Sequence, residues 1–474
     1  MADDAALVWF RRDLRDFDQA ALQAALQAHE KVHCAFVFDT DILGGIPLKA
    51  NRRVTFLWEC VRELKASLEA KGGGLHLPIG PVVKVLPDLA RQLGVSAVYA
   101  NRDYEPQAIE RDRQVVERLA EDGIDFRTRK DQVIFELSEV RTKTGGDFSV
   151  FTPYKNAWLA MLQPHHVAAR DVESGFRFAR VTNALPSLHE LGFTEAAPGL
   201  PTGMSGGAAL WKDFAARLSA YGEQRDFPAL NGTSRLSAHL RFGTVSIRQL
   251  VKAARARRSA GAQTWLSELI WRDFYSAVLT ARPDVVRHSF RAEYDALQWE
   301  TDEALFRAWQ EGRTGYPLVD AAMRELKATG AMHNRLRMVT ASFLTKDLGF
   351  DWRRGADHFA EQLLDHDLAS NNGGWQWSAS TGCDAQPWFR LFNPVMQSAR
   401  FDPEGLYIRR WLPELKAVPE AYLHAPWEMP PPDQQAVGVV IGRDYPTPIV
   451  RHDEARQRTL ARYGAIKARA PVKK

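Results

Sequence analysis

Leu7-Val-Trp-Phe10 is the first of a series of short apolar runs that alternate with helical patterns over the first 130 residues. The others are Cys34-Ala-Phe-Val-Phe38, Leu75-His-Leu-Pro-Ile79, Val95-Ser-Ala-Val-Tyr99 and Ile124-Asp-Phe-Arg127. Each run has the length and composition of a buried strand. Helical stretches, such as Arg53 to Ala70, lie between them. This alternation predicts right-handed βαβ units and a parallel sheet covered on both faces, with ligands at the carboxyl ends of the strands.

The rest of the chain has a different character. Between residues 131 and 200, glycines and prolines such as Gly145-Gly146 and Pro198-Gly199 interrupt the periodic patterns, which predicts an inter-domain linker. From residue 201 onward helical patterns dominate. We therefore predict an α/β domain over 1–130, a linker over 131–200 and an all-α domain over 201–474.

Composition excludes several classes of protein. The 474 residues are 45% hydrophobic and 25% charged, which is typical of a globular protein and not of large-scale disorder. No apolar run is long enough for a transmembrane helix, and the N-terminus lacks the pattern of a signal peptide. None of the cysteines (Cys34, Cys60 and Cys383) lies in a C-x-x-C pair, so we expect neither a disulfide scaffold nor a metal site. A cytoplasmic location follows as an expectation.

The net charge of +4 is weak evidence for a nucleic-acid partner, but the charges are unevenly distributed. Between Arg225 and Arg258 the chain carries a dense block of basic residues and one acidic residue, Asp226. Such a block is either a solvated face or an anion-binding surface that follows phosphates. The sequence leaves both interpretations open.

Two short motifs match known catalytic patterns in the wrong context. His29-Glu-Lys-Val-His33 has the H-E-x-x-H spacing of zinc proteases, but a predicted strand begins near His33, so both histidines cannot lie on one helix. Gly203-Met-Ser-Gly-Gly207 matches G-x-S-x-G, but it follows a linker and not a strand. No G-x-G-x-x-G or P-loop motif is present.

The region from Trp265 to Trp388 combines residue types that a plain core would not contain. Glu268, Trp271, Arg272 and Tyr275 have i, i+3, i+4 and i+7 spacing, which would place a carboxylate, an indole, a guanidinium and a phenol on one helix face. Two further segments mix amides, charges and tryptophans in the same way: Met332-His-Asn-Arg-Leu-Arg-Met338 and Asp365-His-Asp-Leu-Ala-Ser-Asn-Asn-Gly-Gly-Trp-Gln-Trp377.

These segments resemble the photolyase/cryptochrome family, and specifically its class I cyclobutane pyrimidine dimer photolyases. The resemblance covers nearly the whole chain and is weakest between about 140 and 210. It is carried by Trp9-Phe-Arg-Arg-Asp-Leu-Arg15, Gly232-Thr-Ser-Arg-Leu-Ser237, Thr314-Gly-Tyr-Pro-Leu-Val-Asp-Ala-Ala-Met323, Met332 to Met338, Asn371-Asn-Gly-Gly-Trp-Gln-Trp-Ser-Ala-Ser380 and Phe392-Asn-Pro394.

The resemblance implies an α/β antenna-chromophore domain, a linker and a helical domain that binds FAD. The residues at the family's phosphate and sugar positions are Tyr221, Thr233, Ser234, Leu236 and Ser237. Those at its flavin-side positions are Arg272, Asn334, Arg337, Asp365, Asp367 and Asn371, of which Asn371 matches the position next to flavin N5. Further expected cofactor contacts are Arg235, Trp265 and Glu268.

The resemblance also implies a substrate, which is DNA that carries a pyrimidine dimer. The expected dimer pocket consists of Glu268, Trp271, Asn334, Met338 and Trp377, with Asn371 as a further catalytic residue. Two indoles would flank the dimer after it has left the duplex, since photolyases belong to the enzymes that extrude their target bases. Arg225 and Arg335, with Trp271 and Trp377, are the expected DNA contacts. Trp375, Trp352 and Trp299 match the family's electron-transfer chain.

The implied reaction is light-driven: reduced FAD gives one electron to the dimer and recovers it after the ring opens. A cryptochrome-type photoreceptor without repair activity is the alternative. Asn371 favours repair, since several cryptochromes have Asp or Cys there, and Asn334 and Met338 stand where animal cryptochromes tend to have histidines. For the antenna we expect an 8-hydroxy-deazaflavin, with methenyltetrahydrofolate or no chromophore as alternatives. We expect a monomer.

Overall fold

The computed structural model describes residues 4–172 and 177–469. Within these residues the chain forms two compact units. Unit 1 comprises residues 4–219 and 234–281, and unit 2 comprises residues 220–233 and 282–469. The chain thus passes between the units more than once. The domain boundaries predicted above, 1–130, 131–200 and 201–474, stay a prediction, and residues 470–474 lie outside the described part.

Unit 1 contains a parallel sheet. Its strands are β1 (Ala5–Phe10), β2 (Lys31–Phe36), β5 (Ala97–Asn101) and β6 (Asp125–Arg129), in the order β2-β1-β5-β6. A second pair, β3 (Phe38–Asp39) and β4 (Ile79–Gly80), is also parallel. The α/β prediction is confirmed, because parallel strands need the helical crossovers that the sequence pattern showed.

One predicted strand is mostly wrong. Of Leu75 to Ile79, only Ile79 lies in a strand, and His76 forms a single bridge with Ala35. Pro78 has no N–H to donate, so it can only accept a hydrogen bond, which comes from the Phe38 N–H at 3.0 Å.

The helices of unit 1 cover the sheet and extend beyond it. They are α1 (Ala20–Ala28), α2 (Thr40–Gly44), α3 (Arg52–Ala70), α4 (Val82–Leu93), α5 (Pro106–Glu121), α6 (Phe151–Met161), α7 (Gly203–Arg217), α9 (Ser237–Phe242), α10 (Ile247–Arg255) and α11 (Ala260–Ala281). The start of α3 is fixed by Asn51, whose side chain accepts from the N–H groups of Arg53 and Val54.

The segment predicted as a linker contains more structure than its glycines and prolines suggested. Helix α6 lies inside it, followed by a 3-10 helix over Pro164–Val167. Phe151, Tyr154 and Trp158 are buried and have i, i+3 and i+7 spacing on α6. The helix therefore packs through an aromatic stripe. The sequence pattern did not predict it because glycines and prolines surround it.

Unit 2 is helical among its described residues. Its helices are α8 (Tyr221–Gln224), α12 (Glu303–Gln310), α13 (Pro317–Thr329), α14 (Asn334–Ser342), α15 (Trp352–Gln362), α16 (Leu368–Ser378), α17 (Pro394–Phe401), α18 (Leu406–Trp411), α19 (Glu420–Leu423), α20 (Pro431–Val437) and α21 (His452–Arg469). A π-helical turn over Phe343–Asp347 continues α14. The helical C-terminal region that the sequence predicted is confirmed.

A buried carboxylate organises the loops around α13. Asp320 accepts hydrogen bonds from Thr314 N–H (2.7 Å), Thr314 Oγ1 (2.6 Å), Gly315 N–H (3.0 Å) and Tyr445 OH (2.5 Å). Burial raises the pKa of Asp320 to about 6, although these donors lower it. Gly315 has a φ of +82° and lies against the backbone of Thr447, so this position favours glycine.

Among the described residues, no helix is long and apolar enough to cross a membrane. The same part of the chain contains no group of three or more His, Cys, Asp or Glu side chains that could hold a metal ion.

Candidate active site

Helix α11 of unit 1 carries the mixed face that the sequence predicted. Glu268, Trp271, Arg272 and Tyr275 all lie within Ala260–Ala281, and all are half-buried. The Trp271 indole stacks on Phe151, with ring centroids 3.7 Å apart and an interplanar angle of 8°. A carboxylate and an aromatic surface are therefore presented together, one helical turn apart.

Buried polar contacts hold α11 to the preceding chain. The Asp273 carboxylate accepts hydrogen bonds from the Ile134 N–H and from Trp158 Nε1, both at 3.0 Å. Burial raises the pKa of Asp273 to about 6. The Arg272 guanidinium donates to the Gln132 carbonyl. Arg272, a predicted flavin contact, thus also fixes the segment that follows β6.

Several predicted cofactor-binding residues of unit 1 lie at the start of α9. Arg235 has a φ of +54°, an unusual value for a residue with a side chain, and it is exposed. The Ser234 Oγ accepts from the Leu236 N–H at 3.4 Å, and Ser237 is the first residue of α9. Trp265 is buried and stacks on Trp211 with ring centroids 5.2 Å apart.

The other phosphate-side residues lie in unit 2. Tyr221 begins α8 and is buried, and the Arg225 guanidinium lies 5.3 Å from its ring centroid. Gly232 lies so close to the last residue of α8 that a Cβ on it would be 2.6 Å from the Gln224 carbonyl oxygen. The half-buried Thr233 follows it. The close approach of the two backbones therefore favours glycine at position 232.

Helix α14 carries three predicted pocket and DNA residues. Asn334 is exposed, and its Nδ2 lies 3.9 Å from the Met338 sulfur, which is half-buried. Arg335 donates to the Asp226 carboxylate at 2.9 Å and lies over the Phe401 ring, 4.4 Å from its centroid. Its charge is therefore already partly compensated inside unit 2.

An ion pair and a helix start bring the flavin-side residues of unit 2 together. Arg337 donates twice to the Asp365 carboxylate, at 2.8 and 3.0 Å. The Asp367 side chain caps α16 by accepting from the Ser370 N–H at 3.0 Å. Asn371 donates through Nδ2 to the Ala356 carbonyl at 3.0 Å, which fixes the orientation of its amide.

These residues fit a flat polar cofactor such as FAD. Residues 365–371 are all half-buried, although they follow the buried pair Leu363 and Leu364. A Cβ built on Gly374 meets nothing within 4 Å, so there is open space beside α16. Arg337 and Asn371 supply donors and Asp365 supplies acceptors for the edge of a ring system.

The three predicted electron-transfer tryptophans belong to the core of unit 2. Trp375 and Trp352 are buried, and Trp299 is half-buried. Trp375 meets Phe359 at 4.9 Å and Trp309 at 6.1 Å, both edge to face. Trp377, the second expected pocket indole, lies two residues further on α16 and is half-buried.

The contacts answer two questions that the sequence raised. His29 ends α1 and uses both ring nitrogens, Nδ1 towards Asp4 and Nε2 towards Tyr99, while His33 lies in β2. The H-E-x-x-H string is therefore no zinc site.

In the basic block, Arg241 pairs with Glu105, Arg248 pairs with Asp18 and Asp131, and Arg255 donates to the Leu162 carbonyl. These three arginines are structural.

Comparison with known proteins identifies the family of this chain. The family described as "DNA photolyase" matches residues 6–172, and "FAD binding domain of DNA photolyase" matches residues 265–465. A protein of Vibrio cholerae named deoxyribodipyrimidine photo-lyase is 41% identical over 97% of this chain and 99% of its own length. This chain belongs to the DNA photolyase family.

Solved structures of relatives agree with that membership. The photolyase-family fold of this chain matches a class III photolyase from Agrobacterium tumefaciens with a TM-score of 0.90 and 36% identity, covering 99% of this chain and 98% of that one. It also matches a Synechocystis cryptochrome with a TM-score of 0.86 and 29% identity, covering 97% of this chain and 99% of that one. The photolyase/cryptochrome fold is confirmed.

Sequence reasoning missed several residues that shape these surfaces. Phe151 covers one face of the Trp271 indole. The glycines and prolines near Phe151 had led to the prediction that this segment is a linker. Trp309 and Phe359 surround Trp375, and they have the appearance of ordinary core residues in the sequence. The spacing of Phe151, Tyr154 and Trp158 was the one available signal for the first of these. The site residues themselves stay predictions.

Proposed function

We propose that this photolyase-family chain is a deoxyribodipyrimidine photo-lyase, a carbon–carbon lyase that uses light to split cyclobutane pyrimidine dimers in DNA. The observation that carries this proposal is the face of α11, where Glu268 and the stacked Trp271 stand side by side in a chain with an FAD-binding photolyase domain. The relatives' name, deoxyribodipyrimidine photo-lyase, supports the same reaction.

The chain's own residues would bind and orient the dimer. The Trp271 indole and, in unit 2, the Trp377 indole are half-buried aromatic surfaces that can replace the stacking a flipped base loses. The Glu268 side chain would accept a hydrogen bond from a thymine N–H or, when protonated, donate one to a thymine carbonyl. Asn334 and Met338, which contact each other on α14, would complete the pocket.

The electron that opens the dimer would come from reduced FAD, after the flavin has absorbed light. The residues that would hold the ring are the Arg337–Asp365 pair and Asn371, whose amide donates and accepts without carrying a charge. Asp367 fixes the start of α16 beside them. Its phosphates and sugar would be held by Tyr221, Thr233, Ser234, Leu236 and Ser237. Further proposed contacts are Arg235, Trp265, Glu268, Arg272 and Asn334.

Trp375, Trp352 and Trp299 would carry electrons that reduce oxidised FAD. The first two indoles in this order are buried, and the third, Trp299, is half-buried. Such an arrangement suits a path that begins in the core and ends near solvent. Arg225 and Arg335 would contact phosphates near the lesion, where their attraction to DNA depends on salt.

The antenna belongs to unit 1 in this proposal, and we favour 8-hydroxy-deazaflavin. The family resemblance puts Ala108 at the position where folate-type relatives have an acidic residue. Ala108 is buried in α5 and offers no carboxylate. Mass spectrometry of the chromophore released from native protein tests the assignment. A polyglutamyl folate in the released fraction would overturn it.

We also propose that the protein works as a cytoplasmic monomer on damaged DNA. The second candidate function is a blue-light photoreceptor without repair activity, which the match to a cryptochrome structure supports. The two functions share FAD binding and differ in the fate of the dimer.

The deciding experiment uses purified protein whose flavin has been reduced, mixed with an oligonucleotide that carries one cyclobutane thymine dimer. Restored thymine absorbance under blue light, and none in the dark, is the expected result. Absence of repair in a sample with bound, reducible FAD would favour the photoreceptor.

A further inference from the structure

Phe151 and Trp271 form a close parallel aromatic pair beside the proposed dimer pocket. Their ring centroids are 3.7 Å apart, and their planes differ by 8°. Phe151 is buried, whereas Trp271 is half-buried. One face of the indole is therefore covered by the phenyl ring, and any base that stacks on Trp271 has to use the other face.

Phe151 cannot easily move away from this position. It is the first residue of α6, and its neighbours on the same stripe, Tyr154 and Trp158, are more deeply buried. Trp158 Nε1 donates to the buried Asp273 carboxylate at 3.0 Å, one turn of α11 or less from Trp271. The two helices are thus joined beside the aromatic pair, which makes the phenyl ring a fixed surface.

Phe274 and Tyr275 restrict the indole from further directions. Phe274 meets Trp271 edge to face at 5.5 Å, and Tyr275 lies 5.3 Å from it at an angle of 34°. Neither of these two rings is parallel to the indole, so the plane of the indole is defined by Phe151. A surface whose orientation is fixed before binding loses less freedom when the ligand arrives.

We propose that Phe151 is a positioning residue for lesion recognition: its stack fixes the plane of the Trp271 indole, so that the face away from Phe151 accepts a pyrimidine base of the flipped dimer. This inference rests on the proposed function. The inference adds to the proposed function a residue outside the FAD-binding domain, in the segment between the strands and the later helices.

The test compares Phe151→Leu, which keeps an apolar side chain, with Phe151→Tyr, which keeps the ring. We expect Phe151→Leu to raise the Kd for dimer-containing duplex by about 2- to 12-fold, the range that corresponds to one aromatic pair. Phe151→Tyr should restore the affinity. FAD content, the rate of flavin photoreduction and repair per absorbed photon of the bound complex should stay unchanged.

Phe148→Leu is the matched control. Phe148 precedes α6, is half-buried and contacts Tyr154 at 5.9 Å. It should leave the Kd for the lesion unchanged. A Phe151→Leu protein with unchanged affinity, or one in which FAD content and photoreduction fall together with affinity, would overturn the inference and leave a purely structural role.

A double-mutant cycle with Trp271→Leu separates this inference from the proposed function. If Phe151 acts through Trp271, then Phe151→Leu should not weaken lesion binding further once Trp271 has been replaced. Additive losses would contradict the inference but not the repair function. If the wild-type protein and Trp271→Leu both bind damaged and undamaged duplex equally, the proposed function itself fails.

Discussion

At the scale of single residues, the candidate site depends on polar side chains that already have partners within the protein. Arg337 is held by Asp365, and Asn371 is oriented by its hydrogen bond to the Ala356 carbonyl. Side chains fixed in this way cannot turn away from a bound cofactor at little cost, so they are oriented before it binds.

Trp299 offers the clearest test of a single residue. Replacement by Phe should slow photoreduction of oxidised FAD by about tenfold or more, equivalent to a barrier increase of about 1.4 kcal/mol. The reason is that Trp299 is the most exposed indole of the proposed electron path. Flash photolysis with an external reductant measures the rate.

Repair by pre-reduced Trp299→Phe protein should remain close to that of the wild type, because photoreduction is not needed once the flavin is reduced. Trp427→Phe, another half-buried tryptophan of unit 2, is the control and should alter neither rate. Equal losses in both assays for Trp299→Phe would mean that its role has been misassigned.

At the scale of elements, helices α15 and α16 approach each other through a glycine. A Cβ on Gly355 would lie 2.1 Å from Cη2 of Trp375 and 2.6 Å from Cδ2 of Leu344. Both neighbours are buried, so a shift of either side chain would disturb the packing of the core. Gly355 is therefore a helical glycine required by close packing.

Gly355→Ala should lower the free energy of unfolding by about 1–3 kcal/mol, the usual cost of overpacking a core. Because the displaced group is Trp375, photoreduction should also slow. Urea unfolding measures the first effect and flash photolysis the second.

Gly464→Ala is the matched control for Gly355→Ala. Gly464 lies in α21, and a Cβ there meets nothing within 4 Å. This substitution should raise stability by about 0.5–1 kcal/mol through helix propensity. A Gly355→Ala protein as stable as the wild type would show that the packing of Trp375 tolerates an added methyl group.

The sequence predicts most elements, for physical reasons that differ between regions. Buried parallel strands such as β1 are continuous apolar runs, and the residues of the mixed face of α11 have helical spacing. The local sequence pattern therefore predicts both elements. Helix α6 was missed because its aromatic stripe is short and lies among prolines and glycines. The Arg248 ion pairs were not predictable, since Asp18 and Asp131 are distant in the chain.

At the scale of the whole molecule, buried carboxylates make stability depend on pH. The pKa of Asp320 is about 6 in the folded protein, above its ordinary value of 3.8. Between these values the folded state binds more protons than the unfolded state, so stability falls as the pH rises from about 4 to 6.

Asp320→Asn should remove this contribution. Between pH 4 and 6 the variant should lose about 2 kcal/mol less stability than the wild type, since each pKa unit corresponds to about 1.4 kcal/mol and the group is already partly ionised at both ends of this range. Urea unfolding at several pH values measures the difference. Asp433→Asn, which removes an exposed carboxyl group on α20, is the control. Parallel curves for Asp320→Asn and the wild type would contradict the prediction.

The decisive measurement is light-dependent repair of a dimer-containing oligonucleotide by reduced wild-type protein and by the Glu268→Ala, Trp271→Ala double variant. We expect the wild type to repair the dimer in light only. Compared at equal FAD content, the variant should lose about 10- to 100-fold in lesion affinity, the effect of removing at least one aromatic stacking surface. Equal repair by both proteins, or none by a wild type that contains reduced FAD, would refute the proposed repair function.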